Sequence, residues 1–323
     1  MLKDGEKLGA FIVPTGIGAS IGGYAGDASM YARKFANLTK LIVNPNVVNA
    51  GGFSGITPNM YYVEGYAIDS FFRGKIGLLP SENNRIGIVF DHAIPQDVLN
   101  IHINTFNAVK AVYGIDILGY EITKKDAGIK FTITDNDIST GSIENPETLL
   151  EASETLLAKG AEAIALVCIF DEPEVYNPDY AKGLGTDPAG GVEAVISHYI
   201  TKELLVPCAH SPAFADYKIY PDIVDIKSAA EYITPTFLPC ILLGLNQAPK
   251  LSKTSGIRVD EVDFLIMPYD AAGAVPVFEA LKRNIDIYFI KENKTSLDVT
   301  PEKLKLKGNI KIFDTYGDCL ASI

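Results

Sequence analysis

"AIALVCIF", residues 163–170, is the stretch on which the fold turns. Eight consecutive residues are apolar, and no polar position marks a side facing water. Such a run suits a strand buried on both faces, as strands are in parallel sheets covered by helices. The residues before it carry the matching helix: Asn145, Pro146 and Glu147 supply an N-cap, a first-turn proline and a first-turn carboxylate, and Gly160 follows as a C′ residue. "DFLIMP", 263–268, is a second strand of the same kind. Working outward, the pattern predicts strands at 9–14, 40–44, 85–91, 115–122, 129–134, 162–170, 262–267, 285–291 and 310–314, with helices at 27–38, 95–113, 146–159, 190–204 and 274–283. This alternation predicts an α/β fold, a mainly parallel sheet flanked by helices, in two lobes with the active face at the strand carboxyl ends. The turn-rich "GIKFTITDNDISTGSIEN", 128–145, puts the division between an N-terminal lobe, 1–135, and a C-terminal lobe, 136–323. Stretches 45–84 and 171–189 lack periodicity and read as lids or binding segments.

Composition narrows the partners. The chain has 323 residues, 47% hydrophobic and 21% charged, enough for a substantial core. A net charge of −12 opposes nucleic acid and anionic membrane as partners. Apolar runs break after about ten residues, short of the roughly 20 that span a bilayer. Lys3, Asp4, Glu6 and Lys7, followed by an apolar run broken at Pro14 and Thr15, argue against a signal peptide. Four cysteines, at 168, 208, 240 and 319, form no C-x-x-C pair and fit reduced thiols in the cytoplasm. Strands buried on both faces leave helix surfaces on which a homodimer could form.

"VPTGIGASIGGYAGDASMYARKF", 13–35, sets five glycines between a strand and a helix. The dinucleotide fingerprint fails because Ile21 stands where the third glycine belongs, and Asn44 occupies the place of the ribose-binding acid. The P-loop fails because Tyr24 and Ala25 replace its Lys and Ser/Thr. NAD and P-loop ATP are therefore disfavoured, and no other cofactor is indicated. Gly18-Ala19-Ser20-Ile21-Gly22 matches the nucleophile elbow, but Pro14 to Ile17 separate it from the strand. The remaining expectation is an anion-binding turn whose backbone N–H groups, at Thr15, Gly16, Gly18, Gly22, Gly23 and Asp27, hold a small anionic substrate.

Several stretches together resemble the family catalogued as domain of unknown function 3326: "PTGIGASIGGYAGDA", "NPNVVN", "PNMYYVEGYAID", "NRIGIVFD", "GAEAIALV", "GGVEAVISH", "VPCAHSPA", "TFLPCILLGLNQAP" and "IKENKTSLDVTPEKL". The resemblance runs nearly end to end and implies no activity. It differs at Ser20, where the family commonly has alanine, and near Gly55 to Pro58, where an aromatic-proline pair is common.

Polar residues directly after apolar runs are the next candidates, since ligands of open α/β sheets bind beyond the strand carboxyl ends. Thr15, Asn44, Asn46, Asp91, His92, Asp171, Asp270, Glu292 and Asn293 would share that rim. In "VPCAHSPAF", 206–214, Cys208 and His210 lie two apart on an extended segment, where the imidazole could lower the thiol pKa. "GGVEAVISHYI" adds Glu193 and His198 as acid or base groups. The resulting expectation is a cytosolic metabolic enzyme acting on a small anionic metabolite by thiol- and imidazole-dependent hydrolysis or group transfer. A metal-assisted lyase or hydrolase, and a non-catalytic metabolite-binding or sensing protein, are the alternatives.

Overall fold

Runs without a polar face do become the central strands. The computed structural model describes residues 5–170, 179–215, 219 and 221–323. Six parallel strands form one sheet in the order Ile310–Phe313, Asp286–Ile290, Phe264–Pro268, Leu8–Phe11, Lys40–Val43, Met60–Tyr62. Four more form a second parallel sheet in the order Cys208–Ala213, Ala163–Ile169, Ile86–Phe90, Ile117–Ile122. Every residue of Leu8–Phe11, Ile86–Phe90 and Phe264–Pro268 is buried, as expected for strands covered on both sides. The α/β class with parallel sheets flanked by helices is therefore observed.

Both sheets draw strands from either side of the division expected at 135/136, so a cut there would sever both. The first takes residues 8–62 and 264–313, and the second takes residues 86–213. The turn-rich segment that suggested the division is an antiparallel hairpin, Ile129–Ile133 with Ser139–Ile143. It reads as a boundary because its outward side chains are polar, yet its second strand packs on helix Gly190–Leu204.

The helices form three layers with the sheets. One apolar cluster joins Phe11, Leu41 and Val43 of the first sheet to Ile86, Phe90 and Ala165 of the second, with Leu238, Ile241 and Leu245 of helix Leu238–Asn246 between them. The outer face of the first sheet is covered by Gly65–Phe72 and Val275–Lys282, and that of the second by Pro146–Ala158 and Gly190–Leu204. Two of these elements, Met60–Tyr62 and Gly65–Phe72, lie in the stretch 45–84 that showed no periodicity. A three-residue edge strand and a helix of two turns are too short to leave a periodic signature. Among the described residues, no helix is long and apolar enough to cross a membrane.

Candidate functional site

The two sheets and the helices between them leave a cleft of about 90 Å³. Each wall follows from a local rule. Thr15 follows the first strand, Asn44 and Asn46 follow Lys40–Val43, and Glu64 follows Met60–Tyr62, so the first sheet supplies its carboxyl ends. Glu64 is also the N-cap of Gly65–Phe72: one carboxylate oxygen accepts from the N–H groups of Tyr66 at 2.9 Å and Ala67 at 3.2 Å. The first three turns of Gly190–Leu204 present Glu193, Ser197 and His198, and His210 faces them from the second sheet. Tyr24, Asp187 and Glu231 close one side, while Phe237, Cys240 and Ile241 add an apolar surface.

Four carboxylates thus share one lining. Among the described residues that line it there is neither lysine nor arginine. Burial pushes Glu193 well above the ordinary carboxylate range, and the nearby charges of Asp187 and Glu231 push it further. Glu231 is raised to about 8 by burial and then by Asp187, against the pull of the Ala25 N–H and Tyr180 hydroxyl that it accepts. Burial also raises Asp187 and Glu64, the latter opposed mainly by His198. His210 is driven down to about 3 by burial and by His198 nearby, so it is neutral at physiological pH.

The two imidazoles are placed by their hydrogen bonds. His198 Nδ1 meets the Ala194 carbonyl and must donate to it. Its Nε2 lies 3.3 Å from Glu64 Oε1. Ser197 Oγ lies 2.9 Å from His210 Nδ1 and also reaches the Glu193 and Ala194 carbonyls. His210 Nε2 lies 3.6 Å from Glu193 Oε2. Glu64 Oε1 and Glu193 Oε1 have no hydrogen-bond partner. Twice, therefore, a buried carboxyl and an imidazole Nε2 face each other across the cleft.

The glycine-rich turn is engaged by protein. Ser20 N–H donates to the Lys294 carbonyl at 2.7 Å, Ser296 N–H to the Ile17 carbonyl at 2.7 Å, and Ile21 N–H to Asn293 Oδ1 at 2.9 Å. Gly22 N–H is held by Asp27 at 2.6 Å, and that buried carboxylate is raised to about 6 by desolvation. A Cβ on Gly16 would lie 2.7 Å from the Ser139 carbonyl oxygen, and one on Gly18 would strike the Ser296 and Thr186 hydroxyls. The anion-binding turn is corrected accordingly: its glycines admit neighbouring protein, and of its candidates only Thr15 and Gly23 reach the cleft. Ser20 donates to the Glu292 carbonyl and accepts from Lys294 N–H, which excludes it as an elbow nucleophile.

Other expected residues divide as sharply. Glu193, His198, His210, Asn44 and Asn46 line the cleft, although Asn44 spends both amide atoms on the Val13 backbone. Cys208 lies deeper on the strand that carries His210, lining a smaller neighbouring cavity, and it is 1% exposed. Burial pushes its thiol well above the ordinary value, with Glu64 adding to the effect, and the imidazole expected to activate it is turned to Ser197. That corrects Cys208 as a thiolate nucleophile at neutral pH. Asp91 accepts from Ala93 and Ala127 N–H groups, and His92 pairs with Asp126 on the surface at 2.8 Å. Asp270 caps Thr295, Glu292 accepts from Tyr316 N–H, and Asn293 binds Ile21 and the Tyr316 hydroxyl. These five therefore hold turns together rather than line the cleft. Asp171 lies outside the described residues. Among the described residues, no three His, Cys, Asp or Glu side chains gather as a metal would require.

Glu64, Asp187 and Glu231 were not foreseen. Glu64 carries the weak signal of a polar residue closing a three-residue strand, and Asp187-Pro188 precedes a helix as a turn-forming pair. Glu231 sits in a four-residue helix, Ala229–Tyr232, with no signal at all.

The sequence profile of the family described as "Protein of unknown function (DUF3326)" matches residues 9–321. A Synechococcus protein named as an uncharacterized lipoprotein is 40% identical over 301 residues, covering 91% of this chain and 84% of that protein. No solved structure matches. The lipoprotein relative overturns the expected cytoplasmic location, and with it the cytosolic metabolic enzyme and its hydrolase assignment. The physical reason is that a folded domain held at a membrane by lipid needs the same water-soluble surface as a free one. Composition and unpaired cysteines therefore could not separate the two. A match across residues 9–321 takes in nearly the whole chain and leaves one conclusion: the chain belongs to the DUF3326 family.

Proposed function

We propose that this chain is the folded part of a membrane-tethered lipoprotein, and that its cleft captures a small ligand bearing a positive charge and N–H donors. The relative's name supports the setting. The observation that carries the ligand class is the lining: Glu64, Asp187, Glu193 and Glu231 with no lysine or arginine, and two of them with an unpartnered oxygen. Buried carboxylates without a counter-charge keep their protons, which is the direction of their raised pKa values. A cation replaces those protons and restores the ionised form. The net charge of −12 draws cations toward the protein at low salt.

Calorimetry with 1-aminobutane in two buffers of different ionisation enthalpy tests the ligand class. Binding should release protons near neutral pH and weaken as pH falls. Binding of phosphate or succinate in preference to the amine would overturn it. Membrane fractionation of cells producing the chain tests the setting: recovery in the membrane fraction, released by detergent and not by salt, is expected.

A further inference from the structure

We infer that two copies of this chain pair edge to edge through the strand Ile117–Ile122, antiparallel about a two-fold axis at Tyr120, and so join their four-stranded sheets into a continuous one. The strand is the last of the second sheet, and among the described residues it pairs with Ile86–Phe90 alone. Thr123 N–H donates to the Phe90 carbonyl, and backbone groups alternate in direction along a strand. Glu121 therefore turns inward like Thr123, while Tyr120 and Ile122 turn both N–H and C=O out of the sheet. The register shift of this ladder falls before Gly119, so the outward pair lies in its regular part. A Cβ on Gly119 would meet nothing within 4 Å, and Tyr120 and Ile122 are 40% and 43% exposed, so the flank is open.

The other three edges of the two parallel sheets are guarded. Met60–Tyr62 is short and wholly buried, Cys208–Ala213 is buried except at His210, and Ile310–Phe313 presents Lys311 to solvent. Ile117–Ile122 carries two exposed apolar side chains and no lysine, which suits pairing with another strand. Isologous pairing uses this edge on both subunits and leaves no copy of it open for growth.

Charge favours a second copy and fixes its register. An axis at Tyr120 places Ile122 against the partner's Leu118 and Asp116 against the partner's Lys124, at both ends of the contact. Arg85 holds Asp116 at 2.9 Å and Glu151 holds Lys124 at 2.7 Å, so four charges of alternating sign line up across the interface. An axis one residue on would set Glu121 against the partner's Glu121 and Asp116 against the partner's Asp126, which repel. Cys208–Ala213, the strand of His210, is at the opposite edge of its sheet, so the pairing lies away from the acidic cleft and is independent of what the cleft binds.

The experiment is sedimentation velocity of the whole chain from about 1 µM to about 100 µM, where a dimer is expected. Ile122→Pro removes an outward N–H and spares the inward ladder, an edge position that proline tolerates. It should raise the dimer dissociation constant at least about tenfold with an unchanged far-UV circular dichroism spectrum. Ile122→Lys should do the same, and stands in should Ile122→Pro fail to fold. Asp116→Lys and Lys124→Asp should each weaken the dimer at least about threefold, and the chain carrying both should recover, because the exchange restores opposite charges across the axis. A monomer throughout the range, or a dimer that both Ile122 variants leave intact, would overturn the pairing. Failure of the double exchange to recover would overturn the axis at Tyr120.

Discussion

Glu231→Gln isolates the electrostatic cost of the acidic cleft. Glu231 accepts from the Ala25 N–H at 2.8 Å and the Tyr180 hydroxyl at 2.9 Å through one oxygen, and a glutamine carbonyl can accept both. The change therefore removes a titrating group and keeps the shape. A carboxyl whose pKa is higher in the folded than in the unfolded chain binds its proton more tightly when folded. Its contribution to stability is complete below about 4.5 and is lost as pH rises through about 8. At about 1.36 kcal/mol per pH unit, that interval sets a ceiling near 5 kcal/mol. Asp187 is the main charge acting on Glu231, and the two share the repulsion, so about 2–4 kcal/mol is the expected share. The assay is urea unfolding of both proteins, without ligand, near pH 5 and near pH 8.5. Near pH 5 the two stabilities should agree within about 1 kcal/mol, because a protonated carboxyl and an amide are both neutral. Near pH 8.5 Glu231→Gln should be the more stable by about 2–4 kcal/mol. A difference that stays within about 0.5 kcal/mol across the range would refute a buried, proton-holding Glu231, and with it the account of the cleft as a store of displaceable protons.

Three further outcomes follow from the packing. Gly191→Ala should cost about 1–3 kcal/mol in urea unfolding, because its Cβ would sit 2.0 Å from the Ser139 carbonyl oxygen; a loss below about 0.5 kcal/mol would mean the hairpin yields freely. Asn293→Ala should cost about 2–3 kcal/mol and speed exchange of the Ile21 amide hydrogen, since it removes partners of Ile21 and of the Tyr316 hydroxyl; unchanged Ile21 exchange would contradict the clasp. Cys208 should resist iodoacetamide near pH 7 until the chain unfolds, and rapid labelling of native protein would return an accessible thiolate to consideration.

How far the chain could be read depended on whether a feature was local. Residues 163–170 and 263–268 announce buried strands because an apolar run has few other places to go, and helix 146–159 is bounded by Pro146 and Gly160 a few residues away. The glycine-rich turn was located correctly but its purpose was not. Whether a bare backbone faces a ligand or residues 292–296 depends on a segment some 270 positions away. The switch point between strands Leu8–Phe11 and Phe264–Pro268, where an open sheet commonly leaves its crevice, is filled by that contact. The cleft lies instead beyond Lys40–Val43 and Met60–Tyr62.

The sequence alone thus determined the α/β class, the identity of most core strands and helices, the family, and His198, His210 and Glu193 as candidate polar residues. Those are consequences of periodicity, caps and composition, which act over a few residues. Tertiary structure decided that the chain's two ends build one sheet, that Cys208 is buried while His210 lines the cleft, and that Glu64, Asp187 and Glu231 converge on the same small space. Carboxylates so far apart in the chain carry no local sign of meeting, and their protons are retained only because folding removes them from water together.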